Sequence, residues 1–155
     1  MPLLPWRTKL PATPHQEYLV MASRLPLRSH RTIPRFLGLT MSVARQLEGT
    51  SGLVGYRLLA QPMRKTFWTL SAWTDRDVLN AFVRTMPHLA VMGKLRTHMG
   101  PTSFTTWMAP GSALPIAWDD AIERLMGASA PEGPASPSPR PLAPPICSAT
   151  TTQHR

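Results

Sequence analysis

The chain has 155 residues, 43% of them hydrophobic, which suits one domain with an ordinary core. Its 17 Lys and Arg outnumber 8 Asp and Glu for a formal charge of +9, yet the cations are scattered and no basic stretch interleaves with aromatic residues, so composition speaks for no specific nucleic-acid partner. A single cysteine, Cys147, excludes an intramolecular disulfide and a Cys-based metal cluster, and no apolar run is long enough to span a bilayer; a cytoplasmic protein with no leader segment and no membrane span is expected.

Residues 1–16 carry four prolines and read as a flexible, Pro-rich N-terminus. Glu17 to Leu25 (EYLVMASRL), bounded by Pro14 and Pro26, is a strand. Ile33, Phe36, Leu37, Thr40, Met41, Ala44 and Leu47 then recur at helical spacing, with Pro34 in the first turn and Gly49 as the stop. Between Arg24 and Lys65 eight cations face the single acid Glu48, which reads as a solvated Arg-rich surface. LVGYRLLA and TFWTLSAW are β-rich runs joined by QPMRK, a connection short enough for an antiparallel hairpin. Thr74 is placed to cap the following helix, Asp75 and Asp77 suit its first turn, and Val78, Leu79, Phe82, Val83 and Met86 form its buried stripe. Pro87 breaks the ladder, which puts His88 at a kink or at the start of a second helical segment carrying Leu89, Met92, Leu95 and Met99. After Gly100 and Pro101 come a strand, Ser103 to Met108, and a terminal helix lined by Trp118, Ala121, Ile122 and Leu125. Residues 128–155, rich in Pro, Ser and Ala, are expected to be a disordered tail, leaving 17–127 as the domain.

The order β-α-β-β-α-β with an added C-terminal helix predicts an α+β, ferredoxin-like antiparallel sheet. Helices on one face of such a sheet leave the other face uncovered, and a homodimer is the economical cover. Alternation places Trp73 with Phe67, Thr69 and Ser71 on one face, and Trp68 with Leu70 and Ala72 on the other.

The stretch FWTLSAWTDRDVLNAFVRTMPH resembles the dimeric α+β barrel superfamily, in particular its antibiotic biosynthesis monooxygenase-like branch. An uncharacterised bacterial family of that superfamily is similar through SAWTDRDVLNAFVRTMPHLAVM and TTWMAPGSALPIAWDDAIERL, so the resemblance covers roughly Glu17 to Leu125. A fainter similarity, to spheroidene monooxygenase, runs from Ile33 to Arg57. The resemblance implies a dimeric barrel and a monooxygenase-like activity on a small hydrophobic, aromatic or polyketide-like molecule in secondary metabolism, with no cofactor. Haem-binding or haem-dependent members make haem the alternative cofactor, though the matching helix here offers Phe82 and Pro87-His88 in place of their second Trp and later His. A non-catalytic dimeric ligand-binding or accessory protein is the third reading.

His88 is the candidate catalytic residue, because a neutral imidazole removes an acidic phenol or enol proton near neutral pH and also ligates haem iron. The competing reading is a helix-terminal histidine satisfied by a backbone group. Trp73, Phe82 and Met92 are candidate walls of a substrate pocket between sheet and helices, although aromatic and Met side chains at such spacing are more often core. Tyr56 and Arg57 are candidates to steady developing negative charge, and as neighbours on a strand they point to opposite faces, so one cavity takes only one of them. His88 and His98 are ten positions apart, not the four of a helical metal pair, so no metal site is expected.

Overall fold

The computed structural model describes residues 3–128; residues 129–155, with Cys147 and nearly all of the expected tail, lie outside that range. Within it the chain runs β1 (Leu3–Thr8), β2 (Glu17–Pro26), α1 (Ile33–Glu48), β3 (Leu53–Gln61), β4 (Thr66–Trp73), α2 (Arg76–Arg84), α3 (His88–Leu95), β5 (Ser103–Pro110) and α4 (Trp118–Ala128). The strands form one antiparallel sheet in the order β1-β3-β4-β2-β5. Without β1 this is the ferredoxin-like arrangement expected from the sequence.

The β3–β4 hairpin turns through a short 3-10 segment, Pro62–Arg64, and closes on Lys65 at φ 53°, the left-handed residue that a turn of this kind needs. Pro34 sits in the first turn of α1 as expected. The cap of α2 is one residue later than expected. Asp75, not Thr74, is the N-cap: its Oδ1 accepts from the Val78 amide at 2.9 Å, while the Thr74 amide bonds the Gly52 carbonyl at 2.9 Å.

Two further expectations are corrected. The first concerns residues 1–16, read as a flexible Pro-rich N-terminus: Leu3–Thr8 is a strand paired with β3 from Leu3↔Leu59 to Thr8↔Gly55, and the ordered fold begins before residue 17. Trp6 drives this docking, since its indole lies where a β-carbon on Gly55 would stand, 2.5 Å from Cζ2; only glycine leaves that slot open. A bulge between Leu53 and Gly55 turns Val54 and Gly55 toward the same face.

The second correction concerns the far face of the sheet, expected to be uncovered in the single chain. Helices α1, α2 and α3 cover one face, where Phe67 packs on Phe36 at 4.4 Å between ring centroids and Trp73 joins Leu19, Leu53, Leu79 and Phe82. On the other face Val20, Ala22, Leu70 and Ala72 are fully buried beneath Ile116, Ala121 and Leu125 of the α4 region, with Trp6 and Trp118 packed alongside. The two faces of β4 alternate as the sequence pattern requires, but the Trp68 face finds its cover in the same chain. Each buried Val or Leu there stabilises the fold by about 1.5–3 kcal/mol relative to exposure.

Candidate active site

The C-terminal turn of α1, the short gap between α2 and α3, and the upper part of β3 meet at one end of the helical face. His88 opens α3 directly after Pro87. Its backbone amide donates to Gln46 Oε1 at 2.9 Å, and Gln46 Nε2 donates back to the carbonyls of Phe82 at 3.2 Å and Thr85 at 3.4 Å. One glutamine thus ties the last carbonyls of α2 to the first amide of α3, groups that helix ends leave without intrahelical partners.

The half-buried His88 ring stands 5.0 Å from the Phe82 ring centroid, and Phe82 stands 5.1 Å from Trp73. Nδ1 donates to the Val83 carbonyl at 3.1 Å, since a carbonyl can only accept. That bond fixes the proton on Nδ1 and leaves the Nε2 lone pair free as a base or ligand. Burial holds the imidazole pKa below its ordinary value, the Val83 carbonyl opposing this to a lesser degree. The ring is therefore neutral near pH 7.

Beside it, between the last turn of α1 and α2, runs a groove of about 390 Å³ floored by Val78, Ala81 and Phe82 and flanked by Arg45, Gln46 and Thr85. His88 touches Gln46 and Phe82, both of which line the groove. Trp73, expected as a pocket wall, is 1% exposed and packed against Phe82, its indole N–H donating to Ser71 Oγ at 2.9 Å. The space between β4 and α2 is filled by that contact. Met92 sits on the outer side of α3, 37% exposed.

Tyr56 and Arg57 separate to opposite faces as their adjacency requires. Tyr56 lies on the His88 side, in the cluster with Trp73 and Phe82, and its hydroxyl donates to Glu48 Oε1 at 2.6 Å. Burial, then the bond to the Glu48 carboxylate, pushes the phenol up to about 12. Glu48 also accepts from Lys9 Nζ at 2.8 Å and pairs with Arg7 at 3.5 Å; the Lys9 and Tyr56 bonds hold its carboxyl down at about 2. Arg57 lies beneath α4, its Nη2 donating to the Ile116 carbonyl at 2.8 Å and its guanidinium 4.7 Å from the Trp118 ring centroid. It shares no space with His88.

The fold brings together His88, Phe82 and Trp73, with Tyr56 behind them, and leaves Met92 and Arg57 apart. Gln46 and Arg45 were not singled out by the sequence, because the partners of Gln46 and the facing wall of the groove are some forty positions away and no spacing rule reaches that far. Glu48, the lone acid among eight cations from Arg24 to Lys65, pairs instead with Arg7 and Lys9, which lie outside that set. Among the described residues, no group of three His, Cys, Asp or Glu side chains is placed to hold a metal ion, and no helix is long and apolar enough to cross a membrane.

No protein-family profile matches the sequence, and no curated protein sequence does. Solved structures do match. SnoaB, a cofactor-independent oxygenase from Streptomyces nogalater, superposes with a TM-score of 0.53 at 17% identity, over 64% of this chain and 98% of that one. An antibiotic biosynthesis monooxygenase matches with a TM-score of 0.51 at 15% identity, over 59% and 95% of the two chains. A conserved protein from Methanosarcina mazei matches at 0.53 and 13%, over 58% and 90%. Sheet order, helix placement and these superpositions together give this chain a ferredoxin-like α+β fold, an architecture like that of SnoaB and of the antibiotic biosynthesis monooxygenase.

Proposed function

We propose that the protein is a cofactor-independent, monooxygenase-like enzyme that acts as a homodimer on a small planar aromatic or polyketide-like molecule bearing an acidic C–H or O–H. The observation that carries this reading is the state of His88: neutral, with its proton held on Nδ1 by the Val83 carbonyl and its Nε2 lone pair free. The fold shared with SnoaB supports it, as a likeness of architecture.

In this reading the substrate lies in the α1–α2 groove with its ring against Phe82, and the Arg45 guanidinium steadies the charge that forms. Nε2 takes the acidic proton, giving a resonance-stabilised carbanion. Dioxygen adds to that carbon, and loss of water from the resulting hydroperoxide turns a methylene into a carbonyl, one oxygen atom leaving in the product and one in water. Phe82 keeps the sheet side of the groove apolar, and Tyr56, protonated up to about pH 12, adds no competing anion.

The test is His88→Gln with oxygen uptake and product formation measured on a panel of acidic polycyclic phenols and anthrones. The variant is expected to melt close to the parent and to lose roughly a hundredfold or more in turnover. Full turnover in a well-folded His88→Gln protein refutes the assignment.

A second reading, haem bound through His88, is favoured by the same feature, because a ligating imidazole characteristically donates its other N–H to a carbonyl or carboxylate. Hemin titration separates the two: a sharp Soret band that His88→Ala abolishes supports haem. A non-catalytic ligand-binding or accessory role is favoured by the close packing of Trp73 on Phe82, and is the outcome if neither substrate turnover nor a bound group is found.

A further inference from the structure

The two edges of the sheet are built differently. Edge strand β1 is guarded: it contains Pro5 and Arg7, its register with β3 shifts between Leu4 and Arg7, and Lys9 follows it. These are devices by which proteins block pairing at a free edge. Edge strand β5, SFTTWMAP, has none of them. It carries no charge, no proline before Pro110, and eight consecutive pairs with β2 without a bulge, and among the described residues β2 is its only strand partner. On the face shared with α2, Phe104 is 67% and Met108 55% exposed, with Thr106 between them.

We propose that β5 is the surface through which a second copy of this chain binds, antiparallel and edge to edge, so that the two sheets become one. This rests on the homodimer of the proposed function and moves its contact from the sheet face, which α4 already covers, to the sheet edge. The pattern of β5 is self-complementary. A two-fold axis at Thr106 puts Phe104 of one copy opposite Met108 of the other, twice, and Thr105 opposite Trp107 on the reverse face. The two large exposed apolar side chains of the strand, Phe104 and Met108, then meet each other.

Charge agrees with the same direction. Glu17 pairs with Pro110, and Asp120 lies in the groove with Met108 and Pro110, so the far end of the edge carries acids; Arg124 in that groove has its guanidinium over the Trp107 ring. At the near end Arg28 bonds the Met99 carbonyl. Antiparallel pairing lays the acidic end of each copy beside the basic end of the other, whereas parallel pairing sets like ends together. The stretch from Pro131 to Pro145 is a poor occupant, because its seven prolines lack the amide that an edge pairing needs.

Sedimentation of the full chain at micromolar concentration, with Phe104→Lys/Met108→Lys as the probe and Leu37→Lys/Met41→Lys on α1 as the control, tests this. The parent and control are expected to run as dimers and the probe at about half the mass with its far-UV spectrum unchanged, since both residues are exposed in the single chain. In a second variant, Thr106→Cys in a Cys147→Ser background, the two-fold places the new side chains about 4.5–5.5 Å apart, and mild oxidation is expected to link the copies covalently. A dimer that survives the paired lysines and does not cross-link overturns β5 as the surface while leaving the homodimer standing. A monomeric parent overturns both.

Discussion

Gln46 is the side chain whose loss tells most about how the site is held. Gln46→Leu keeps the aliphatic stem against Phe82 but removes three hydrogen bonds. The bond to the Thr85 carbonyl is exposed, and water replaces it at little cost. The other two are part-buried, and neutral bonds of that kind contribute about 0.5–1.5 kcal/mol each, so the substitution should cost about 1–3 kcal/mol. At this domain size that is a fall in melting temperature of roughly 5–10 °C. Gln46→Glu sharpens the test. A carboxylate there still accepts from His88 but faces two carbonyls, which favour its protonated form and raise its pKa above the unfolded value. A raised carboxyl contributes stability that is present below the unfolded pKa and lost as pH rises through the folded one, so Gln46→Glu should approach the parent at low pH and fall behind it toward neutrality. Urea unfolding followed by circular dichroism at pH 4 and pH 7, each referred to the parent, reads both effects. A Gln46→Leu midpoint equal to the parent's, or a Gln46→Glu deficit that does not change with pH, refutes the clamp.

Asp75→Ala should cost about 1 kcal/mol in thermal unfolding by removing the cap on the Val78 amide, while Thr74→Ala should cost clearly less; the reverse order would return the cap to Thr74. Gly55→Val should expel Trp6, seen as faster amide exchange in β1 and β3, and adding Trp6→Ala should restore protection in β3; no rescue would mean that the two residues do not share the slot. Glu48, depressed to about 2, contributes stability that is present above its unfolded value near 4.5 and fades as pH falls toward 2, so the parent should lose melting temperature across that window more steeply than Glu48→Gln. Parallel acid curves for the two proteins would mean that its partners do not hold the carboxylate.

Periodicity made most of the fold legible. Phe67 and Trp73 alternate against Trp68 and Leu70, and Ile33 to Leu47 repeats at helical spacing, because both patterns are imposed by neighbours within a few residues. β1 was illegible because Pro5 argues against a strand; an edge position tolerates the missing amide, and which strand lies at an edge is a property of the whole sheet. The apolar stripe of α4 was readable, its destination was not: Ala121 and Leu125 serve equally well against either face or a partner until the chain path is known. At the site, the Val83 carbonyl is five residues from His88 and local geometry delivers it, whereas Gln46 comes from another helix and leaves no trace in spacing.

The docking of β1 on β3 sets synthesis against assembly. β1 is made before β3, and its pairing positions, such as Leu59 opposite Leu3, follow about 3–11 s later at ordinary elongation rates. During that interval Trp6 has no slot to enter, because Gly55 has not been made. β1 therefore waits for a younger hairpin before it can join the sheet.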